Sequence, residues 1–173
     1  MTAAGGGPGR PESTESTGQS TGDTRPILLL SGPNLNLLGQ RQPEIYGRET
    51  LADHEETARR AADAGGYRLE SLQSDHEGEL VAAIHAARGR CAGVIINAGA
   101  LSHSSWSLHD ALAAFDGPSV ELHLSNPAAR EPFRHVSVLA PVVSGSVAGF
   151  GGLGYRLAVE AIISLIASRG DRP

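Results

Sequence analysis

The stretch ILLLSGPNLNLLGQ, residues 27–40, decides the fold. It opens with four consecutive apolar residues, Ile27 to Leu30, and then changes abruptly to the turn-forming sequence Ser-Gly-Pro. A short apolar run that ends in turn residues is typical of a strand buried on both faces. Such strands belong to parallel sheets covered by helices on both sides, so this stretch predicts an α/β fold.

The rest of the chain repeats this alternation of strands and helices. The pattern favours a flavodoxin-like, five-stranded parallel sheet in the order 2-1-3-4-5 with helices on both faces. Thr50 and Asp53 predict a capping box at the start of the first helix, and Gly65 ends that helix. The predicted strands are residues 27–30, 67–72, 92–96, 119–125 and 136–142, and the predicted helices are residues 50–64, 78–88, 105–115 and 155–168.

The first 25 residues differ from the rest in composition. Residues 1–25 are mostly Gly, Ser, Thr, Pro and Glu, with little to bury, which predicts a disordered tail. Residues 26–173 are expected to form a single catalytic domain. Because no apolar stretch reaches the length of a membrane span and the N-terminus lacks the order of a signal peptide, we expect a cytoplasmic protein without a membrane partner.

The charged residues argue against several classes of function. The net charge is −5 without a long run of one sign, so we expect no nucleic-acid partner. All 14 basic residues are arginines. Schiff-base catalysis, pyridoxal phosphate attachment and a Walker-type phosphate loop each need a lysine, which this chain lacks.

Polar residues follow nearly every predicted strand. Ligands of open α/β sheets bind beyond the carboxyl ends of the strands, so this distribution predicts a functional site at that edge. The residues that follow the five strands are, in order, Asn34, Asn36, Arg41 and Tyr46; Asp75, His76 and Glu77; Asn97, Ser102 and His103; His123, Ser125, Asn126, Arg130 and Arg134; and Ser144, Gly145 and Ser146.

The fourth strand places a carboxylate and an imidazole on one face. Glu121 and His123 are two residues apart, so their side chains point the same way. On a covered strand both groups are costly to bury unless they pair, and the carboxylate then fixes the tautomer of the histidine. The pattern therefore favours an oriented catalytic histidine. The alternative is a half-exposed, amphipathic edge strand.

Two weaker patterns suggest other sites. His103, His109 and His123 are potential zinc ligands, but their spacing matches no compact ligand motif. The segment Gly149–Gly154 matches a dinucleotide fingerprint, yet it precedes the last helix, where close backbone packing is the better interpretation. His54, His85 and His135 are expected on the surface or on helix faces.

The connection from Gly32 to Gly47 is long for a β-α loop, and such loops often carry binding residues. Within it, Arg41 lies five residues before Tyr46. A fixed positive charge near a phenol favours the phenolate, so this pair predicts a tyrosine base. A surface arginine and a packed tyrosine are the alternative.

This loop, GPNLNLLGQRQPEIYG, closely resembles the N-terminal signature of the type II dehydroquinases, or 3-dehydroquinate dehydratases. Five further segments continue the resemblance in the same order. They are DHEGEL (75–80), IINAGALSHSSWSLHDAL (95–112), ELHLSN (121–126), REPFRH (130–135) and GFGGLGY (149–155).

The resemblance implies dehydration of 3-dehydroquinate to 3-dehydroshikimate through an enolate, without cofactor or metal. It implies that Tyr46 removes the proton beside the ketone and that Arg41 keeps this tyrosine ionised and stabilises the enolate. His123, held by Glu121, is then the acid that protonates the departing hydroxyl, and Asn34 is counted among the catalytic residues. These roles supply the base, the electrostatic stabiliser and the acid that an enolate mechanism needs.

The resemblance also implies a substrate-binding set and an assembly. Asp110 is expected to reach the site of a neighbouring subunit, in a homo-oligomer of trimers stacked into a dodecamer. His109 replaces the usual arginine beside Asp110, and Trp106 and Asp75 are further departures from the family pattern. The substrate-binding residues are Asn97, His103 and Arg134, the backbone amides of Leu124 and Ser125, and Asp110.

Two other functions are weighed against this one. A flavodoxin-like receiver or flavin-binding module needs a flavin or an acidic phosphoacceptor cluster after the first strand, which here ends in Ser-Gly-Pro-Asn. A flavodoxin-like hydrolase that uses a serine nucleophile needs a Gly-x-Ser-x-Gly elbow, and the sequence contains none.

Overall fold

A computed structural model describes residues 1–2, 24–40 and 48–170. Five strands form one parallel sheet in the order β2-β1-β3-β4-β5, which confirms the predicted flavodoxin-like arrangement. The strands are β1 (Ile27–Ser31), β2 (Leu69–Gln73), β3 (Gly93–Asn97), β4 (Ser119–His123) and β5 (Gly145–Ala148).

Four helices cover the two faces of the sheet. The side chains of β1 alternate between them: Ile27 and Leu29 pack towards α1 and α4, whereas Leu28 and Leu30 pack towards α2 and α3. This alternation explains why the first four residues of β1, Ile27 to Leu30, are all apolar. The helices are α1 (Leu51–Ala64), α2 (Glu77–Ala87), α3 (Trp106–Ala113) and α4 (Leu153–Gly170).

The predicted start of α1 is confirmed. The Thr50 hydroxyl accepts a hydrogen bond from the backbone N–H of Asp53 at 3.3 Å, and the Asp53 carboxylate accepts one from the backbone N–H of Thr50 at 2.8 Å. This reciprocal capping box satisfies two N–H groups that the helix leaves free. It fixes the residue at which α1 begins.

The predicted fifth strand, residues 136–142, is wrong. Pro141 lacks the N–H that a ladder needs, and the Ser137 hydroxyl accepts hydrogen bonds from the backbone N–H groups of Leu139 and Ala140, each at 3.1 Å. The segment therefore turns, and the buried Leu139 anchors it in the core. The fifth strand is instead Gly145–Ala148, which pairs with β4.

The glycines before α4 pack closely, as expected for the Gly149–Gly154 segment. A Cβ on Gly154 would lie 3.1 Å from the Leu122 side chain, and one on Gly152 would lie 2.5 Å from a Glu49 carboxylate oxygen. Side chains at these positions would hold α4 away from the sheet and from α1. In the part of the chain that the structure describes, no helix is both long and apolar enough to cross a membrane.

Candidate active site

A cleft lies beyond the carboxyl ends of β1, β3 and β4, where the sequence predicts a site. Most of the predicted site residues meet there. Those that line the cleft are Asn34, Asn97, His103, His123, Leu124, Ser125 and Arg134.

Two predicted residues do not line this cleft, and two others cannot be placed relative to it. Arg41 and Tyr46 lie outside the described residues. Glu121 is buried beneath His123, with 1% of its surface exposed. Asp110 is exposed on α3 and is not among the residues that line the cleft of its own chain.

Glu121 and His123 form the predicted pair, which we call the acid pair. β4 lies between β3 and β5, so the alternative of an amphipathic edge strand is wrong. His123 Nε2 lies 3.0 Å from Glu121 Oε1. The Ser137 hydroxyl donates to the same oxygen at 2.6 Å, and the Ser146 hydroxyl donates to Oε2 at 3.5 Å. A carboxyl group removed from water is thus satisfied by three neighbours.

The acid pair fixes which ring nitrogen of His123 faces a substrate. A carboxylate only accepts hydrogen bonds, so Nε2 carries the proton in this contact. His123 lines the cleft while its Nε2 atom contacts the buried glutamate. Nδ1 is therefore the nitrogen available for proton transfer.

The ring of His103 is also held by a hydrogen bond, in this case to a backbone carbonyl group. Its Nδ1 atom lies 2.8 Å from the carbonyl oxygen of Val136, which can only accept, so Nδ1 carries the proton and Nε2 is left for a ligand. The rings of His103 and His123 are nearly parallel, with centroids 6.3 Å apart. Two imidazoles of fixed orientation therefore line the cleft.

Two arginines supply positive charge to the cleft. Glu131 Oε2 lies 3.0 Å from Arg134 Nε and 3.3 Å from Arg130 Nε, so one carboxylate holds both guanidinium groups. A backbone hydrogen bond and these two arginines lower the pKa of Glu131. Arg130 Nη1 also donates to the Ser125 hydroxyl at 3.3 Å. This corner of the cleft suits an anionic ligand.

Asn97 joins the cleft to a second group of buried polar residues, which we call the rear cluster: Ser31, His54 and Tyr155. Ser31 is the register partner of Asn97 on the neighbouring strand. His54 is buried, on the inward face of α1, and its ring stacks on Tyr155 with centroids 4.9 Å apart. Ser31 and Tyr155 are fully buried as well.

The polar atoms of the rear cluster are unusual because no hydrogen bond of normal geometry reaches them from the described residues. They are Ser31 Oγ, His54 Nε2 and the Tyr155 hydroxyl. Burial raises the pKa of Tyr155 to about 12, although the nearby side chains of Asn97 and Ser31 act in the opposite direction. Burial also lowers the pKa of His54, against the attraction of Glu49 and Asp53. Both groups are therefore neutral near pH 7.

The sequence missed the residues that support the site. The sequence pattern predicts Ser137 within the strand at residues 136–142 and Ser146 after it. In the structure both serines donate hydrogen bonds to Glu121. A buried carboxylate on an interior strand needs several donors, and that requirement is the signal by which these serines could have been found. Arg130 follows β4 as noted, but the sequence assigned it no role.

Zinc binding by His103, His109 and His123 finds no support in the geometry. His109 Nδ1 contacts the carbonyl oxygen of Val138 at 2.7 Å. Within residues 24–40 and 48–170, no group of three or more His, Cys, Asp or Glu side chains is arranged to hold a metal ion.

Comparison with known proteins identifies the family. The profile of dehydroquinase class II matches residues 25–163. The chain belongs to the class II dehydroquinase family.

Individual relatives of the class II dehydroquinase chain agree with this assignment. A 3-dehydroquinate dehydratase of Dinoroseobacter shibae is 53% identical over 148 residues, which cover 85% of this chain and 99% of the relative. A 3-dehydroquinate dehydratase of Halalkalibacterium halodurans is 50% identical over 137 residues, which cover 79% of this chain and 94% of the relative. The crystal structure of type II dehydroquinase from Propionibacterium acnes superposes with a TM-score of 0.78 at 40% identity. The match covers 82% of this chain and 97% of that chain.

Proposed function

We propose that this chain is a 3-dehydroquinate dehydratase, a hydro-lyase that eliminates water from 3-dehydroquinate to give 3-dehydroshikimate, in the shikimate pathway or in quinate catabolism. Class II dehydroquinases carry out this reaction, and the relatives named above bear the name of the activity. The observation that carries the proposal is the acid pair at the wall of the cleft: a buried carboxylate holds the histidine so that one nitrogen faces a ligand.

The proposed mechanism uses one residue for each proton. Tyr46 removes the proton beside the ketone, and Arg41 keeps the tyrosine ionised and stabilises the enolate that forms. His123 then donates a proton from Nδ1 to the departing hydroxyl. The Glu121 carboxylate supports this step because it stabilises the imidazolium through Nε2.

The proposed binding mode matches the charges of the cleft. The substrate carboxylate is received by the backbone amides of Leu124 and Ser125, which follow β4 directly. Asn97, His103 and Arg134 bind the other substrate oxygens. This assignment is supported by their positions, since all five residues line the same cleft. The mechanism calls for neither a cofactor nor a metal ion.

The assembly and location extend this proposal. We propose a homo-oligomer of trimers stacked into a dodecamer, in which Asp110 reaches the cleft of a neighbouring subunit. Its exposed position on α3 supports such a contact. We further propose that residues 26–173 act as one catalytic domain, and that the enzyme works in the cytoplasm without a nucleic-acid or membrane partner.

The test is to add 3-dehydroquinate to metal-stripped protein and to follow the conjugated enone of the product by ultraviolet absorbance. We expect turnover without added cofactor. Tyr46→Phe should reduce kcat by at least about 100-fold because it removes the base. Tyr67→Phe, which leaves Tyr46 intact, is the matched control. Absence of product from the wild-type protein, or a Tyr46→Phe variant at the wild-type rate, contradicts the proposal.

A further inference from the structure

We infer that Asp75 is a positioning residue, which keeps Asn34 in the cleft by accepting a hydrogen bond from its backbone N–H. The inference rests on the proposed function, because the family resemblance behind that function counts Asn34 among the catalytic residues. The contact joins the end of β2 to the loop after β1.

Asn34 needs to be held because its backbone is strained. Its φ and ψ are 66° and 2°, and it is the one residue other than glycine with positive φ among the described residues. The left-handed conformation costs a residue with a side chain on the order of 1 kcal/mol, although asparagine tolerates it better than most. The free chain would therefore favour a different backbone angle, and with it a different direction for the side chain.

Asp75 supplies the contact that opposes this relaxation. Its Oδ1 atom lies 2.9 Å from the backbone nitrogen of Asn34. Gln73 Nε2 donates to the same oxygen at 3.1 Å, so the carboxylate is itself held in place. Gln73 Nε2 also lies 3.4 Å from the carbonyl oxygen of Gly32. Gln73, the last residue of β2, and Asp75 thus hold the two ends of the Gly32–Asn34 turn.

The other side of the turn is fixed against β3. The backbone N–H of Gly32 donates to the carbonyl oxygen of Asn97 at 2.8 Å. A Cβ on Gly32 would lie 2.5 Å from the carbonyl oxygen of Ala98, which shows how closely the two loops approach. The hydrogen bond from Asn34 to Asp75 attaches the same turn to the end of β2. Asn34 thereby keeps its place in the lining of the cleft, which also includes His123.

The argument requires an acceptor at this position and does not require a negative charge. Both groups that contact Oδ1 are neutral donors, a backbone N–H and a side-chain amide. An asparagine offers the same carbonyl oxygen at the same distance from the backbone. Asp75→Asn should therefore keep the position of Asn34, whereas Asp75→Ala should release it.

The experiment compares Asp75→Ala and Asp75→Asn in the full chain, with Asp63→Ala as the control. Asp63 is exposed on α1, so its substitution removes the same charge far from the cleft. We expect Asp75→Ala to lower kcat by about tenfold or more, the loss typical of one positioning hydrogen bond, with little change in KM. Asp75→Asn and Asp63→Ala should stay within about threefold of the wild-type kcat.

Hydrogen exchange of the Asn34 amide, measured by NMR, gives a second readout that does not depend on turnover. The amide should be protected in the wild-type protein and in Asp75→Asn, and it should exchange at least about tenfold faster in Asp75→Ala. If Asp75→Ala keeps the wild-type kcat and protection, or if Asp75→Asn fails as Asp75→Ala does, the inference is overturned. If the wild-type protein does not dehydrate 3-dehydroquinate, the proposed function fails, and the exchange rates alone then decide whether Asp75 holds the turn.

Discussion

The acid pair and the rear cluster both bury polar groups near the carboxyl end of the sheet, but the protein treats them in opposite ways. The Glu121 carboxyl group has three hydrogen-bonding neighbours. The Tyr155 hydroxyl, the Ser31 hydroxyl and His54 Nε2 have none among the described residues. Asn97 stands between the two groups, on the strand next to Ser31 and at the wall of the cleft.

The difference reflects the charge that each group has to carry. An ionised carboxylate is very costly to bury without partners, whereas a neutral hydroxyl or imidazole costs far less. The hydrogen bonds to Glu121 satisfy this requirement, and the proposed mechanism uses the acid pair to transfer a proton. The rear cluster stays neutral and serves packing, as the stacked rings of His54 and Tyr155 indicate. Five substitutions, each compared with the wild-type protein, test this difference.

The largest effect is expected for His123→Ala. Loss of the acid should lower kcat by about 100-fold to 10,000-fold, because the departing hydroxyl then leaves without a proton from the enzyme. Steady-state kinetics with 3-dehydroquinate measure the fall in kcat. His85→Ala, an exposed histidine on α2, is the matched control and should keep the wild-type rate. Equal rates for the two variants would show that His123 is not the acid.

A smaller loss is expected for Glu121→Gln. The amide oxygen still accepts from His123 Nε2, but it cannot balance the positive charge of the imidazolium. We expect kcat/KM to fall by about 10-fold to 100-fold. Glu160→Gln, at an exposed position of α4, controls for the change of charge. A wild-type rate for Glu121→Gln would remove the carboxylate from the mechanism.

His54 should make the stability of the protein depend on pH. Because burial lowers the pKa of His54, the unfolded chain takes up a proton at a pH where the folded protein does not. The contribution to stability is therefore complete above about pH 6.5 and decreases as the pH falls below it. Urea unfolding at about pH 7.5 and about pH 5.5 measures the loss.

His54→Phe should reduce this loss, since a phenyl ring can still stack on Tyr155 and does not titrate. The exposed His85→Ala variant should retain the wild-type difference between the two pH values. An unchanged difference in His54→Phe would mean that His54 is not the group responsible.

The smallest effect is expected for Tyr155→Phe. Among the described residues no hydrogen bond of normal geometry reaches the hydroxyl, so the free energy of unfolding should change by less than about 1 kcal/mol. Ser137→Ala should have the larger effect, because it removes a hydrogen-bond donor to Glu121. The free energy of unfolding should fall by about 1–3 kcal/mol. Urea denaturation of both variants compares them. If Tyr155→Phe lowers the free energy of unfolding more than Ser137→Ala does, the proposed difference between the rear cluster and the acid pair is wrong.

Much of this site could be predicted because its signals are local. The apolar run of β1, the capping box of Thr50 and Asp53, and the two-residue spacing of Glu121 and His123 each depend on neighbours in the sequence. The carboxyl ends of parallel strands meet at one edge, so the position of the cleft followed from the strand pattern. The predicted strand at residues 136–142 failed because the pattern of apolar residues outweighed Pro141 and the turn made by Ser137.

The sequence by itself determined the fold class, the family and the chemical groups at the cleft, since strand periodicity and motif spacing are properties of the chain. The tertiary structure alone decided which distant side chains meet. It brought Ser137 and Ser146 to Glu121, Asp75 to the backbone of Asn34, and His54 into the core against Tyr155. Such contacts join segments tens of residues apart. No local pattern encodes them, because they depend on the register and packing of the whole sheet.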